Sequence, residues 1–267
     1  KKSMYNATGI CAHTEGFVDW ASKFSNKKNL KYNFIAPLTA PKYSIDCEEN
    51  ISAINWWAEQ GIIKTTQLRV IFIGSFSRAF DFDAIFSTAT ELQMKKIPCE
   101  FLLCGDGERY DELSLLASKL NNVSIIDWID QPKITALSNM SNFMIAPYKS
   151  TGDFTMSIPN KIIDSFALGL PVLSSLSGEV ASILNKKNVG LTYSDNTTLF
   201  KCIEEVLKNP EMQILMSKKE TNLYESDNAT SGSQAGTLVV TDTENNTPFT
   251  FTVAGDNGDK FNVQGSS

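Results

Sequence analysis

Ser157-Ile158-Pro159-Asn160-Lys161-Ile162-Ile163-Asp164-Ser165-Phe166-Ala167-Leu168-Gly169-Leu170-Pro171-Val172 is the stretch on which the fold turns. Pro159 suits the first position of a helix, where its missing N–H costs nothing, and Gly169 suits the residue just past the helix end. The spacing predicts a helix over 159–168 and a strand beginning at once with Pro171. The amino end of such a helix presents unpaired backbone N–H groups and a partial positive charge, a natural anion site. Lys161 and Asp164 are three apart and share a face. A cation for phosphate and a carboxylate for ribose hydroxyls, one turn apart, would grip a nucleoside diphosphate. The same spacing also fits an ordinary surface ion pair, and spacing alone does not choose between them.

Outward from this stretch, short apolar runs alternate with amphipathic segments. Strands are expected at Val70–Ile73, Glu100–Cys104, Val123–Ile126, Phe143–Ala146, Pro171–Leu173 and Leu191–Tyr193. Helical spacing joins Ile85, Ala89, Leu92 and Met94 on one side of a first helix, and Leu113, Leu116, Ala117 and Leu120 in a second. Further helices fit 132–139, 179–185, 196–208 and 210–224. Continuous apolar strands alternating with helices signal an α/β fold, a doubly wound parallel sheet covered on both faces. Such sheets bind ligands at the carboxyl ends of their strands.

Composition narrows the function classes. The 267 residues are 42% hydrophobic and 20% charged, which excludes a disordered chain. No run of about 18 uncharged apolar residues offers a transmembrane helix. The net charge of −6 argues against a nucleic-acid partner. The cysteines (Cys11, Cys47, Cys99, Cys104, Cys202) lack metal spacing and read as buried thiols of a reducing compartment. A single histidine, His13, argues against a histidine metal site.

Three zones differ in style. Residues 67–226 hold the strand–helix units. Residues 1–66 hold one apparent unit: a strand end at Thr8–Ala12, helical spacing at Phe17, Val18, Ala21 and Phe24, and a strand at Asn33–Pro37. This reads as the last piece of a preceding domain plus its linker, and a start at Lys1-Lys2-Ser3 suggests a processed or truncated N-terminus. Residues 227–267 are rich in Thr, Gly, Asn and Asp. After Ser231-Gly232-Ser233, β-rich runs at Thr237–Thr241, Phe249–Val253 and Lys260–Val263 are separated by Asn245-Asn246 and Asp256-Asn257-Gly258. Two or three antiparallel strands are expected in this short all-β tail.

Other residues could carry chemistry. Gly74-Ser75-Phe76-Ser77-Arg78 follows the first sheet strand; Gly allows close backbone approach and Arg78 can fork onto phosphate. Alone it also reads as a plain turn. Gly105-Asp106-Gly107-Glu108 lacks the third glycine of a dinucleotide fingerprint, since Tyr110 stands there, and reads as a tight turn shaping a crevice. Glu179, after Ser177-Gly178, fits a helix-capping acid. His13 has no visible catalytic partner and reads as a structural residue at a strand end. Trp56-Trp57, in an apparent helix with Ile54 and Ala58, reads as packing between domains.

In order, these pieces resemble the C-terminal half of a family 4-type retaining glycosyltransferase of GT-B architecture, over about residues 1–225. The matching pieces are Ile73-Gly74 with Arg78 and Asp81, Leu103-Cys104-Gly105-Asp106-Gly107, Val123–Trp128, Met144-Ile145-Ala146-Pro147, Pro159-Asn160-Lys161 to Asp164, Gly169-Leu170-Pro171-Val172, and Gly190. The resemblance implies that 67–226 is a Rossmann-like domain binding a nucleotide-diphosphate sugar, with 1–66 left from the acceptor-side domain. It implies Lys161 and Arg78 as catalytic residues facing the diphosphate. It assigns donor contacts to Gly74, Ser75, Gly105, Pro159, Asn160 and Asp164, the last on the ribose. The first carboxylate of the family's acidic pair falls at Met156 and is absent; Glu179 could supply part of its contact to the sugar. No metal or other cofactor is implied. The partners implied are the nucleotide sugar, a glycan or lipid-linked acceptor in surface polysaccharide synthesis, and peripheral membrane contact from the cytoplasm, with no nucleic acid. Two alternatives share this reading: a binding-only or inactive nucleotide-sugar module, and a sugar-nucleotide epimerase of the same architecture. An NAD oxidoreductase would need a fingerprint after the first strand, and Gly74-Ser75-Phe76-Ser77 is not one.

Overall fold

The computed structural model describes residues 2–26, 33–38, 45–149 and 151–217, with the backbone of 237–241, 248–252 and 262–263. The chain divides into two compact units, Lys1–Thr221 and Asn222–Ser267. The first opens with α1 (Lys2–Tyr5), β1 (Cys11–Ala12), α2 (Glu15–Ser22), β2 (Phe34–Ile35) and α3 (Cys47–Glu59). The sheet region follows: β3 (Leu68–Ile73), α4 (Phe82–Met94), β4 (Cys99–Cys104), α5 (Tyr110–Ala117), β5 (Val123–Ile126) and α6 (Gln131–Ser138). It continues through β6 (Phe143–Ala146), α7 (Gly152–Thr155), α8 (Asn160–Ala167), β7 (Val172–Ser174), α9 (Glu179–Lys187), β8 (Gly190–Thr192) and α10 (Asn196–Lys208). A last helical stretch covers 210–217; the expected continuation to 224 lies outside the described residues.

The six strands from β3 to β8 form one sheet in the order β5-β4-β3-β6-β7-β8, and every pairing is parallel. In register, Val70 stands opposite Phe101 on one side and Phe143 on the other. Both faces are covered, so β6 and the Val70–Ile73 stretch of β3 are apolar throughout rather than alternating. On one face Trp57 and Ala53 of α3 and Leu137 of α6 pack against Ile71, Leu102 and Met144. On the other, Ile85, Ala89 and Leu92 of α4 are buried, and α4 packs against α10. Met94 departs from its expected place and is 78% exposed. It lies two residues past Leu92, about 200° around the helix, so the apolar stripe has turned away from it.

Three further expectations change. Pro159 is extended (φ −63°, ψ 148°) and caps α8 from outside, so Asn160 is the first helical residue and Lys161 the second. Proline's fixed φ suits both positions, and ψ decides between them. Gly169 lies just past the helix end at φ 69°, as expected. The tryptophan pair does not mark a boundary: α3 is part of the first unit, and the fully buried Trp57 donates its indole N–H to the Lys133 carbonyl at 2.9 Å. Of the thiols, Cys99 and Cys104 are buried in β4, but Cys11 and Cys47 are exposed. Cys11 stands on the two-residue β1, which forms a two-stranded sheet with β2 among the described residues, and Cys47 starts α3.

Residues 1–66 thus share a unit with the sheet region, and β1 and β2 pair in parallel, as their strand–helix–strand pattern requires. In the second unit, β9 (Thr237–Thr241), β10 (Pro248–Thr252) and β11 (Asn262–Val263) form an antiparallel sheet in the order β11-β10-β9. The expected linker Ser231-Gly232-Ser233 and the turns Asn245-Asn246 and Asp256-Asn257-Gly258 lie outside the described residues.

Candidate functional site

The strand order reverses direction between β3 and β6, where successive crossovers run to opposite sides. The exit loops of these strands separate there and leave a crevice. A cavity of about 340 Å³ occupies it, lined by Ile73, Gly74 and Ser75 from β3 and its exit, and by Asn160, Lys161 and Asp164 from α8. Gln131 and Ile134 of α6, Tyr148 just beyond β6, and Phe80, Met144 and Leu168 complete the walls. The volume lies near the lower end of small-molecule pockets, roughly 300–1,000 Å³.

The exits of β3 and β4 are laced together. The Gly74 N–H donates to the Cys104 carbonyl at 3.0 Å, and the Phe76 N–H to the Asp106 carbonyl at 2.7 Å. A side chain on Gly105 would drive into the Gly74 carbonyl oxygen, so glycine is required where the two turns touch. Gly105 therefore supports the cavity wall from behind and is not itself part of the lining.

Lys161 enters from α8. Its ammonium donates to the Ile73 carbonyl oxygen and lies over the rings of Phe72 (4.2 Å) and Phe80 (5.5 Å). Burial lowers its pKa to about 8, against an opposing pull from the Asp164 carboxylate. Cation–π contact with two rings partly replaces the lost hydration. Near neutral pH the group remains a cation in a poorly hydrated place, where attraction for an anion is strengthened.

The structure brings Gly74, Ser75, Asn160, Lys161 and Asp164 to one cavity. Pro159 caps the helix that carries three of them. Arg78 and Glu179 are not in the lining. The Arg78 side chain is 83% exposed and pairs with Glu108 at 3.5 Å, while its backbone N–H donates to the same carboxylate at 3.0 Å. Glu179 begins α9 behind Gly178, whose backbone abuts the Thr155 carbonyl. Met156 uses its carbonyl to accept the Thr14 hydroxyl, which joins the loop before α8 to the start of α2. His13 contacts the Ala36 carbonyl through Nδ1 at 3.1 Å, a tie between the segments of β1 and β2.

Tyr148, Phe80 and Gln131 were not singled out from the sequence. Tyr148 stands two residues past β6, and its position at the carboxyl end of a central strand was the available signal. Among the described residues, no three His, Cys, Asp or Glu side chains converge as a metal site, and no helix is long and apolar enough to cross a membrane.

Residues 67–209 match the family model described as glycosyl transferases group 1. No curated protein matches the sequence. Among solved structures, WaaG, a glycosyltransferase involved in lipopolysaccharide biosynthesis, superposes with a TM-score of 0.63 at 15% identity, over 82% of this chain and 58% of that one. Sucrose-phosphate synthase from Thermosynechococcus elongatus gives 0.63 at 16% identity, over 84% and 55%. HepE of Anabaena, in complex with UDP and glucose, gives 0.62 at 12% identity, over 82% and 59%. The chain thus spans a little over half the length of these structures.

Proposed function

From the premise that the chain belongs to the group 1 glycosyl transferases and has their GT-B Rossmann-like sheet domain, we propose that its cavity binds a nucleotide-diphosphate sugar. The reading extends to transfer of that sugar, with retention, to a glycan or lipid-linked acceptor in surface polysaccharide synthesis, at the cytoplasmic face of a membrane. The observation that carries it is the meeting of Gly74, Ser75, Asn160, Lys161 and Asp164 around one cavity at the sheet's switch point.

The geometry suits the chemistry. Cleavage between sugar and diphosphate builds negative charge on the leaving oxygen and positive charge on the anomeric carbon. Donors fixed in advance toward that developing charge supply a large part of catalysis. The Lys161 ammonium and the first N–H groups of α8 take this role, with Asp164 accepting from the ribose hydroxyls. Arg78 joins them by leaving Glu108, an exchange that costs little for so exposed a pair. The bound donor supplies its own leaving group, and no separate cofactor enters the scheme.

Thermal shift of the full chain against UDP-, GDP- and dTDP-linked sugars tests the binding, because a ligand of the folded state raises apparent stability. Lys161→Ala should then remove about 2–4 kcal/mol of transition-state stabilisation in single-turnover measurements. An unchanged rate would reject that role. Met156 favours a second reading, a module that binds the donor without turnover, because a thioether stands where the family's first acid would hold the sugar. Product analysis separates transfer, binding alone and an altered sugar, the last marking an epimerase.

A further inference from the structure

The exit of β6 is fastened unusually well. Phe80 and Tyr148 form an antiparallel bridge, the Asp81 N–H donates to the Pro147 carbonyl at 2.6 Å, and the Lys149 N–H to the Ala79 carbonyl at 2.8 Å. From the other side the Ser175 hydroxyl donates to the Tyr148 carbonyl at 2.6 Å. The Tyr148 ring is held between Phe80 and Phe154, with centroids 4.8 and 4.7 Å away. The residue is only 8% exposed, yet it lines the cavity together with Asp164. Packing of the ring alone would be met by phenylalanine; the hydroxyl is what a purely structural role leaves unexplained.

A carboxylate only accepts hydrogen bonds, whereas a phenol also donates. A vicinal diol satisfies both: its hydroxyls donate to the carboxylate while one of its oxygens accepts from the phenol. We propose that Tyr148 is a specificity-determining residue that, with Asp164, recognises the ribose diol, so that the cavity takes a ribonucleoside diphosphate in preference to its 2′-deoxy counterpart. The inference rests on the nucleotide-sugar reading and deepens it by adding Tyr148 as a second contact to the ribose beside Asp164. Burial and the Asp164 charge push the phenol up to about 12, so it keeps its proton at any working pH. Removal of one hydroxyl leaves a buried partner unpaired, which is why sites built around a substrate hydroxyl reject analogues that lack it.

The test compares affinities of the full chain for UDP and 2′-deoxy-UDP, and for GDP and 2′-deoxy-GDP, with the native residue and with Tyr148→Phe. The native chain should prefer the ribonucleotide by about tenfold or more, and Y148F should reduce that preference by about threefold or more, the remainder being held by Asp164. The variant keeps the ring between Phe80 and Phe154, and a ratio of two affinities on one preparation is unaffected by the fraction folded. No preference in the native chain, or one unchanged in Y148F, overturns the inference and leaves the nucleotide-sugar reading standing. Failure of every nucleotide and nucleotide sugar to bind overturns both.

Discussion

The ammonium of Lys161 is bonded to the carbonyl oxygen of Ile73, so the helix that brings the positive charge is tied to the strand whose end frames the cavity. The next residue in that strand's exit is Gly74, at φ 143°, where its backbone favours glycine and the lack of a side chain leaves a channel for the lysine. Sheet, turn and charge are therefore one mechanical unit.

A methyl group at residue 74 would lie 2.5 Å from the Lys161 nitrogen. Gly74→Ala should cost about 1–3 kcal/mol of stability through backbone strain and displacement of the ammonium. In a Lys161→Ala background only the strain remains. The two costs should fall short of additivity by about 1 kcal/mol, read from urea unfolding of the four chains. Strict additivity would show that the channel does not matter.

The low pKa of Lys161 has opposite consequences for stability and binding. Because the folded value is about 8 and the ordinary value 10.5, the unfolded chain binds more protons between those limits. This group's contribution to stability is thus lowest below pH 8 and rises with pH up to about 10.5. Lys161→Met should be more stable than the parent at pH 7, with the gap closing by pH 10.5. Affinity for a nucleotide sugar, whose phosphates do not titrate in this range, should fall above pH 8 in the parent and stay flat in K161M. Isothermal titration at pH 7 and 9 distinguishes the two, and an equal pH response of both proteins would remove Lys161 from the diphosphate contact.

The sheet was legible because its strands are buried on both faces. Val70-Ile71-Phe72 and Phe143-Met144-Ile145 announce themselves by unbroken apolarity, and Gly169 ends its helix in a conformation few other residues adopt. The meeting of Lys161, Asp164 and Gly74 was legible once a parallel sheet was granted, since strand exits converge at its carboxyl edge. What escaped depends on distant partners. The contact of Arg78 with Glu108, thirty residues away, is set by the lacing of two turns that no local pattern encodes. Tyr148 escaped because its burial comes from Phe80 and Phe154, on separate elements.

At the opposite end of β3, Arg69 is 2% exposed and anchors three segments. Its guanidinium bonds Glu100 at 2.8 Å, the Met140 carbonyl at 3.2 Å and the Ile63 carbonyl at 2.7 Å. Arg69→Ala leaves the half-buried Glu100 carboxylate and two carbonyls without donors, and should cost about 2–4 kcal/mol. Glu100→Gln keeps an acceptor beside the guanidinium and should cost less than half as much. Denaturant midpoints report both, and equal losses would mean that the charge, rather than the bonding geometry, holds the site.

Thr14 joins the N-terminal segment to the loop beside the cavity. Its hydroxyl accepts from the Phe17 N–H at 3.3 Å, capping α2, and donates to the Met156 carbonyl. Phe154, two residues before Met156, packs on Tyr148 in the cavity wall. Thr14→Val keeps the volume and loses both bonds, and should cost about 1–2 kcal/mol, whereas Thr14→Ser retains them. Because Met156 is anchored through its backbone, T14V should accelerate amide exchange over 152–156 while leaving β3 and β6 protected. Uniform acceleration across the sheet would instead mean that Thr14 matters only to global stability, and that the loop draws no separate support from it.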